Sequence, residues 1–195
     1  MTTTIGVLAL QGDVAEHMAM LEVAGARPVA VKQVHQLDDL DGLVIPGGES
    51  TTIGKLLTLF GLMDPLKVRI GEGMGVFGTC AGAILLAKEA LHHDGRPAEQ
   101  PLLGAMDITV RRNAFGRQVD SFEADLEVAG IEGPPMKAVF IRAPVVETAG
   151  PDVDVLATVG DTIVVCSQGR LLASSFHPEL TDDPRLHRYF VEMVR

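Results

Sequence analysis

The chain is poor in cysteine, in positive charge and in long apolar runs, and each shortage excludes a class of protein. Its 195 residues include 2 cysteines, Cys80 and Cys166. Neither lies in a metal-binding Cys/His cluster, and in a reducing cytosol we expect no disulfide between them. Lys and Arg number 16 against 26 Asp and Glu, a formal net charge of -10. This charge argues against a nucleic-acid partner, because Lys and Arg supply most of the affinity for phosphates.

No apolar run approaches the ~18 residues that a membrane-spanning helix needs, so we expect no membrane partner. The N-terminal sequence Met-Thr-Thr-Thr lacks the basic start of a signal peptide, and we expect a cytoplasmic protein. The length fits one domain, which we expect to span residues 1–195. A hydrophobic content of 47% suggests a buried sheet that is covered on both faces.

The first half of the chain alternates short apolar runs with helical patterns. Strands are predicted at residues 5–10, 28–31, 42–45 and 74–77. Helices are predicted at residues 14–24, from Ser50 or Thr51 onward, and at residues 63–70. Asp13 and Glu16 match the capping-box spacing at the start of the first helix, and Gly25 is expected to stop that helix.

The second half is rich in predicted strands. Residues 92–101 are polar and contain Pro and Gly, which is typical of an exposed loop. Strands are predicted at residues 108–110, 137–141, 153–159, 162–167 and 171–176, with hairpin turns at residues 160–161 and 169–170. A last helix is expected to begin near Pro184. The whole pattern predicts an α/β fold: three layers around a mostly parallel sheet, with an antiparallel extension.

The sequence Gly-Thr-Cys-Ala-Gly at residues 78–82 lies between a predicted strand and a helix predicted over residues 81–91. A G-x-C-x-G sequence at such a junction is typical of a nucleophile elbow, whose two glycines allow a turn that presents the central side chain. The N-terminus of the following helix favours a thiolate at Cys80. Cys80 is therefore a candidate nucleophile. The alternative is a buried structural cysteine in a glycine-rich turn.

A cysteine nucleophile needs a base and a group that orients the base. Among 6 histidines, His177 directly follows the predicted strand at residues 171–176, at a sheet edge where active sites form. Glu179 lies two residues on, on the same side of an extended chain, and is placed to accept the far imidazole proton. The alternative is a strand-terminal histidine beside a solvated glutamate. The other histidines are expected to be structural or solvated: His17, His35, His92, His93 and His187.

The sequence Pro-Gly-Gly-Glu-Ser at residues 46–50 follows the third predicted strand. Two glycines let the main chain approach a ligand closely, so their N–H groups are candidates for an oxyanion hole together with the amide of Ala81. The segment is too short for a P-loop, because no Gly-Lys-Ser/Thr follows it. The alternative is a plain turn between a strand and a helix.

Together these three segments resemble the class I, triad-type glutamine amidotransferases. Further blocks are similar to the glutaminase subunits of pyridoxal 5′-phosphate synthases, and they extend from near residue 5 to residue 182. The blocks are Gly-Val-Leu-Ala-Leu-Gln-Gly (6–12), Glu-Ser-Thr-Thr (49–52), Arg-Asn-Ala-Phe-Gly-Arg-Gln-Val-Asp-Ser-Phe-Glu (112–123), Phe-Ile-Arg-Ala-Pro (140–144) and Ser-Phe-His-Pro-Glu-Leu-Thr (175–181). The block at 112–123 is the most specific, since many amidotransferases share the triad. The loop at residues 92–101 lies outside all of them.

The resemblance implies that Cys80 attacks the side-chain amide of L-glutamine, that His177 transfers the proton and that Glu179 orients His177. It implies oxyanion donors at Gly48 and Ala81. It also implies that glutamine contacts the following residues: Gly48, Glu49, Ser50, Arg112, Ile141 and Arg142. Ammonia would pass to a separate pyridoxal 5′-phosphate synthase subunit in a hetero-oligomeric complex. Because residues 11–17 leave the sheet on the same side as the elbow, we expect them to belong to the surface through which that subunit activates the glutaminase. The chain itself would need no cofactor and no metal.

Three other functions compete with this interpretation. A glutaminase subunit that feeds imidazole glycerol phosphate synthesis is the nearest, and the block at 112–123 argues against it. A cysteine peptidase or redox sensor of similar fold is the second. The third is a non-catalytic assembly protein, against which the complete set of Cys80, His177 and Glu179 argues.

Overall fold

A ten-stranded sheet runs through the molecule and carries helices on both faces. The computed structural model describes residues 2–114 and 121–195. Five parallel strands form one half of the sheet, in the order β2-β1-β3-β4-β12. They are β1 (Thr4–Leu8), β2 (Arg27–Val31), β3 (Gly42–Ile45), β4 (Gly75–Thr79) and β12 (Leu171–Ser174). The helices are α1 (Val14–Val23), α2 (Ser50–Leu59), α3 (Met63–Gly71), α4 (Ala81–Leu86) and α5 (Arg185–Val194).

The other half of the sheet is mainly antiparallel. From β12 it continues through β11, β9, β6 and β5, and β10 also pairs with β11. These strands are β5 (Ala87–Leu91), β6 (Met106–Arg111), β9 (Val145–Ala149), β10 (Asp154–Val159) and β11 (Thr162–Gln168). A separate antiparallel hairpin consists of β7 (Ser121–Leu126) and β8 (Met136–Ile141). Short 3₁₀ helices occupy Val34–Leu37 and Pro178–Leu180.

Side chains along the central strands point alternately to the two faces of the sheet, and a separate hydrophobic core covers each face. On β3, Leu43 and Ile45 pack in the core beneath α2, α3 and α4, whereas Val44 faces the core beneath α1 and α5. Successive side chains of a strand point to opposite faces, so a strand that is buried on both faces must be apolar throughout. The predicted fold class, a three-layer α/β fold with a mostly parallel main half, is confirmed.

The helix predicted over residues 81–91 is wrong beyond its first turns. Helix α4 ends at Leu86, and Ala87 has an extended backbone with φ -62° and ψ 146°. From Ala87 the chain becomes β5 and pairs in parallel with β6. Helix propensity in this stretch is overridden because pairing satisfies the backbone polar groups and buries Ala90.

The capping box predicted at Asp13 and Glu16 is also wrong. The Asp13 side chain makes no capping hydrogen bond; its Oδ2 instead lies 3.5 Å from the Nδ1 of His177. The stop at Gly25, whose φ is +84°, is confirmed. The two hairpin turns and the helix after Pro184 are confirmed as well. Three strands were not predicted from the sequence: β5, β7 and β9. Residues 115–120, within the block at 112–123, lie outside the described residues.

Candidate active site

Cys80 occupies a sharp turn between β4 and α4, with φ 48° and ψ -102°. A cysteine at positive φ is strained, and such strain is concentrated at functional sites. The turn leaves no room for a Cβ atom at either end, so both end residues must be glycine. A Cβ on Gly78 would lie 2.5 Å from the carbonyl carbon of Gly82, and a Cβ on Gly82 would lie 2.1 Å from the carbonyl oxygen of Ile45. The predicted nucleophile elbow is therefore present in the geometry.

His177 follows β12 after two residues and meets both predicted partners. Its Nδ1 lies 2.7 Å from Oε1 of Glu179, and its imidazole also interacts with Cys80. The backbone N–H of His177 donates to the carbonyl oxygen of Val139 on β8. His177 and Glu179 are each 5% exposed. His177 thus interacts with both Cys80 and Glu179, and the hydrogen bond to Glu179 orients its imidazole.

Burial would lower the pKa of His177, but its interactions with Cys80 and Glu179 outweigh burial and raise the pKa to about 10. An imidazolium is therefore the stable form at neutral pH. Burial raises the pKa of Glu179, and the hydrogen bond from His177 opposes that rise. The imidazole consequently has a proton available for a leaving group.

Two further histidines lie behind the triad and are completely buried, as their expected structural roles require. His17 on α1 contacts Nε2 of His187 through its Nδ1 at 2.9 Å, and its own Nε2 lies 3.1 Å from the Thr79 hydroxyl. The same Nε2 lies 3.4 Å from Oε2 of Glu179. Burial, His187 and His177 together hold the pKa of His17 well below its usual range. The sequence gives no sign of this contact, because His17 and Glu179 are far apart along the chain and come together only in the folded protein.

A pocket of about 430 Å³ opens in front of Cys80. Every predicted site residue except Glu179, which lies behind His177, lines it: Gly48, Glu49, Ser50, Cys80, Ala81, Arg112, Ile141, Arg142 and His177. Sequence reasoning did not assign the remaining lining residues to the substrate pocket: Gln11, Asp13, Ile84, Asn113 and Pro144. The volume suits a small polar molecule. Asn113 and Arg142 both have positive φ, at 50° and 43°, a signal that only the structure reveals.

Arg112 is fixed in the pocket wall by acceptors from two segments. Its Nη2 donates to Oε1 of Glu49 at 3.0 Å, and its Nη1 donates to Oε1 of Gln100 at 2.9 Å. The Glu49 carboxylate also caps α2 by accepting from the N–H groups of Thr51 and Thr52. Glu49 thereby connects the helix N-terminus to the guanidinium, which stays free to offer its other N–H groups.

The Pro-Gly-Gly turn is packed between the first loop and His177. A Cβ on Gly12 would lie 1.8 Å from the carbonyl oxygen of Gly47, and a Cβ on Gly47 would lie 2.4 Å from Cε1 of His177. The Gln11 side-chain oxygen accepts a 2.8 Å hydrogen bond from the backbone N–H of Glu49. Gly48 has φ +153°, and a Cβ there would lie 2.5 Å from that same oxygen. The conformation of the turn therefore depends on Gln11.

The described residues include one cluster with metal-ligand spacing, which shares its members with the triad. Ligand atoms of Asp13, His177 and Glu179 all lie within 4.8 Å of one another. His177 and Glu179 are already hydrogen-bonded to each other within it. This hydrogen bond fixes the orientation of the imidazole.

Comparison with known proteins agrees with this geometry. Residues 7–195 match the SNO glutamine amidotransferase family. The chain belongs to this family. It is 62% identical, over 191 residues, to the "Pyridoxal 5′-phosphate synthase subunit PdxT" of Frankia casuarinae, covering 98% of this chain and 94% of that protein. The subunit of the same description from Nocardia farcinica is 61% identical over 197 residues, covering 98% of this chain and 86% of the relative.

Solved structures give the same result. A crystal structure described as a glutamine amidotransferase matches with a TM-score of 0.91 and 54% identity, covering 97% of this chain and 98% of that one. A glutamine amidotransferase from Thermotoga maritima matches with a TM-score of 0.62 at 12% identity, covering 98% of this chain and 90% of that one, which shows the shared fold alone. Across residues 2–114 and 121–195, no helix has the length and apolar character to cross a membrane.

Proposed function

We propose that this chain hydrolyses L-glutamine to L-glutamate and ammonia, as the glutaminase subunit of a pyridoxal 5′-phosphate synthase. The observation that carries the proposal is the connected set of Cys80, His177 and Glu179 facing a pocket walled by Arg112. The relatives named as synthase subunits supply the pathway. We also propose that residues 1–195 act as a single domain, in the cytoplasm and without a cofactor.

Catalysis begins when the Cys80 sulfur attacks the side-chain carbonyl carbon of glutamine. The C–S bond forms, and the carbonyl π pair moves onto oxygen to give a tetrahedral oxyanion. As the oxyanion collapses, the C–N bond breaks and His177 gives its proton to the nitrogen, so ammonia leaves and a thioester remains. Water then attacks the thioester while His177 takes a proton, and cleavage of the C–S bond releases glutamate. Glu179 orients the imidazole in both halves.

The oxyanion is held by the backbone N–H groups of Ala81 and Gly48. Ala81 is the first residue of α4, so its N–H has no partner one turn earlier in the helix. Gly48, which lines the same pocket, supplies the second donor. Once the Gly48 turn is in its competent conformation, two such donors stabilise the developing charge without further reorganisation.

Arg112 binds the α-carboxylate of glutamine. Its guanidinium can hold a carboxylate by two hydrogen bonds. Ser50 and Ile141 contact the rest of the amino-acid backbone, together with Gly48, Glu49 and Arg142, all of which line the same pocket. A substrate without an α-carboxylate is therefore expected to bind poorly.

The synthase subunit receives the ammonia and activates the glutaminase. The contact surface includes the first loop and the exposed start of α1, where Ala15 and Glu16 face solvent. His17 was expected in this surface, but it is fully buried and belongs to the interior. The Gln11 side chain contacts the turn that contains Gly48. A partner that binds the first loop can therefore move Gln11 and favour the competent conformation of the turn.

The test is a glutaminase assay on the chain alone and with its cognate synthase subunit. We expect slow hydrolysis alone, activation by the partner and no hydrolysis by Cys80→Ala in either sample. Gln11→Ala should weaken activation more than folding, with Lys32→Ala on an exposed site as the matched control. Peptide hydrolysis without glutamine hydrolysis would contradict the proposed activity. Full turnover by the lone chain, unchanged by the partner, would contradict only the coupling.

A further inference from the structure

Gln100 lies near the end of the loop at residues 92–101, which is outside all the sequence motifs, yet its side chain reaches residues in the wall of the substrate pocket. Its Oε1 accepts from Nη1 of Arg112 at 2.9 Å, from Oγ of Ser50 at 3.1 Å and from Oγ1 of Thr51 at 3.3 Å. These donors come from the start of α2 and from the residue after β6. One carbonyl oxygen therefore joins the two segments that carry the proposed substrate contacts.

The orientation of this amide follows from the charges around it. The reversed amide would place its NH₂ group against the Arg112 guanidinium, donor against donor. In the observed orientation Nε2 is buried and has no hydrogen-bond partner among the described residues. An unpartnered buried donor is costly. The contacts to the oxygen outweigh that cost, which indicates that this oxygen is the functional end of the side chain.

A neutral acceptor suits Arg112 at this place. Glu49 already supplies one negative charge to the guanidinium at Nη2. A second carboxylate would neutralise the charge that the substrate carboxylate needs, whereas the Gln100 carbonyl orients Nη1 and adds no charge. Gln100, together with Oγ1 of Thr51, which accepts from the same Nη1 at 3.2 Å, therefore fixes the direction of the guanidinium and leaves its charge for the ligand.

The same oxygen sets the polarity of Ser50. A hydroxyl has one hydrogen and two lone pairs. Because Ser50 donates its hydrogen to Gln100, its oxygen offers only lone pairs to the pocket that it lines. Such an acceptor fits the α-ammonium group of an amino acid, as the guanidinium fits the α-carboxylate.

We propose that Gln100 is a positioning residue for amino-acid recognition, acting through Arg112 and Ser50. The inference rests on the proposed glutaminase function and deepens it. Gln100 does not line the pocket and does not touch the reacting amide, so its effect falls on binding of the α-carboxylate and α-ammonium groups and not on the chemical step.

The experiment measures steady-state glutamine hydrolysis by the complex with the cognate synthase subunit. Gln100→Leu keeps the size of the side chain and removes the acceptor. We expect KM to rise about tenfold, as for loss of one hydrogen bond to a charged group, with kcat changed by less than about twofold. Gln100→Glu retains the acceptor and adds a charge, and we expect KM to rise there too. Glu99→Gln, on the exposed neighbouring residue, is the matched control and should leave both constants unchanged.

A double-mutant cycle separates positioning from general loosening of the loop. In an Arg112→Lys background, Gln100→Leu should add little to the rise in KM, because the group that it orients is gone. If the two substitutions raised KM additively, or if Gln100→Leu left KM unchanged, the inference would be overturned. The proposed function would still stand, provided that the wild-type complex hydrolyses glutamine. A wild-type complex that hydrolyses no glutamine would overturn both.

Discussion

The buried histidine pair predicts a specific loss of stability in acid. His187 is 0% exposed, and its Nε2 lies 2.9 Å from Nδ1 of His17. Its ring also packs edge-on against Phe77, with centroids 5.7 Å apart. Burial lowers the pKa of His187 from 6.5 to about 3. We therefore expect both buried histidines to be neutral in the folded protein at neutral pH.

The sign and the size follow from proton linkage. Between pH 6.5 and pH 3 the unfolded chain protonates His187 and the folded chain does not, so the free energy of unfolding falls as pH falls. Each pH unit costs about 1.4 kcal/mol for one group, or about 2 kcal/mol between pH 6.5 and pH 5. His17 adds a loss of the same sign, because its pKa is lowered too.

The neighbouring titrating groups do not cancel this effect. The pKa of His177 is raised to about 10, so His177 stays protonated in the folded protein, and its contribution near pH 6.5, which opposes the acid loss, is the same in wild type and in a variant at His187. The pKa of Glu179 is raised, which makes the free energy of unfolding rise as pH falls and so opposes the histidine effect. This contribution is the same in wild type and in a variant at His187. The difference between the two proteins therefore reports on His187 and on the part of the His17 pKa shift that His187 causes.

The assay is urea unfolding of wild type and His187→Gln at pH 7 and pH 5. Glutamine does not titrate, and its side-chain NH₂ is able to donate to His17. We expect the variant to lose about 2 kcal/mol less than wild type on acidification. His93→Gln, at an exposed position, is the control and should keep the wild-type loss. An equal loss in wild type and His187→Gln would refute the assignment of a neutral, buried His187.

Three further predictions concern the elbow and the triad. His177→Asn should reduce glutamine hydrolysis by about 10²–10⁴-fold and Glu179→Gln by clearly less, because the histidine transfers the proton and the glutamate orients it; equal activities would contradict these roles. Gly82→Ala should unfold at lower urea, by about 1–3 kcal/mol, since its Cβ meets a backbone carbonyl of β3 at 2.1 Å, whereas Gly71→Ala has open space and should not destabilise. Burial raises the pKa of Cys166 to about 12, so iodoacetamide at neutral pH should leave Cys166 unlabelled in the native protein, as peptide mass mapping would show.

Local patterns sufficed for the parts of the site that are built from consecutive residues. The elbow at residues 78–82 and the pair His177 and Glu179 depend on a turn and on strand alternation, which a sequence displays directly. The assignment of Arg112 as a substrate contact came from the resemblance to a family. In the structure Arg112 lines the same pocket as Cys80 and His177.

The parts that the sequence did not predict depend on contacts between distant segments. Residues 87–91 have no strong strand signal, and they become a strand because β6 offers them a partner. Gln100 lies in a polar loop, where nothing local indicates that three donors converge on its oxygen. His17 is far from Glu179 along the chain, and only the sheet brings their side chains to 3.4 Å.

The central claim, that Cys80 is the nucleophile of a glutamine-specific site, is tested most directly by a diazoketone analogue of glutamine. The complex with the synthase subunit is incubated with the analogue, with and without excess glutamine, and the modified peptide is identified by mass spectrometry. We predict one adduct per chain, on Cys80, which glutamine prevents and which forms equally in Cys166→Ala. An adduct on any other residue, or inactivation that glutamine does not slow, would contradict the account.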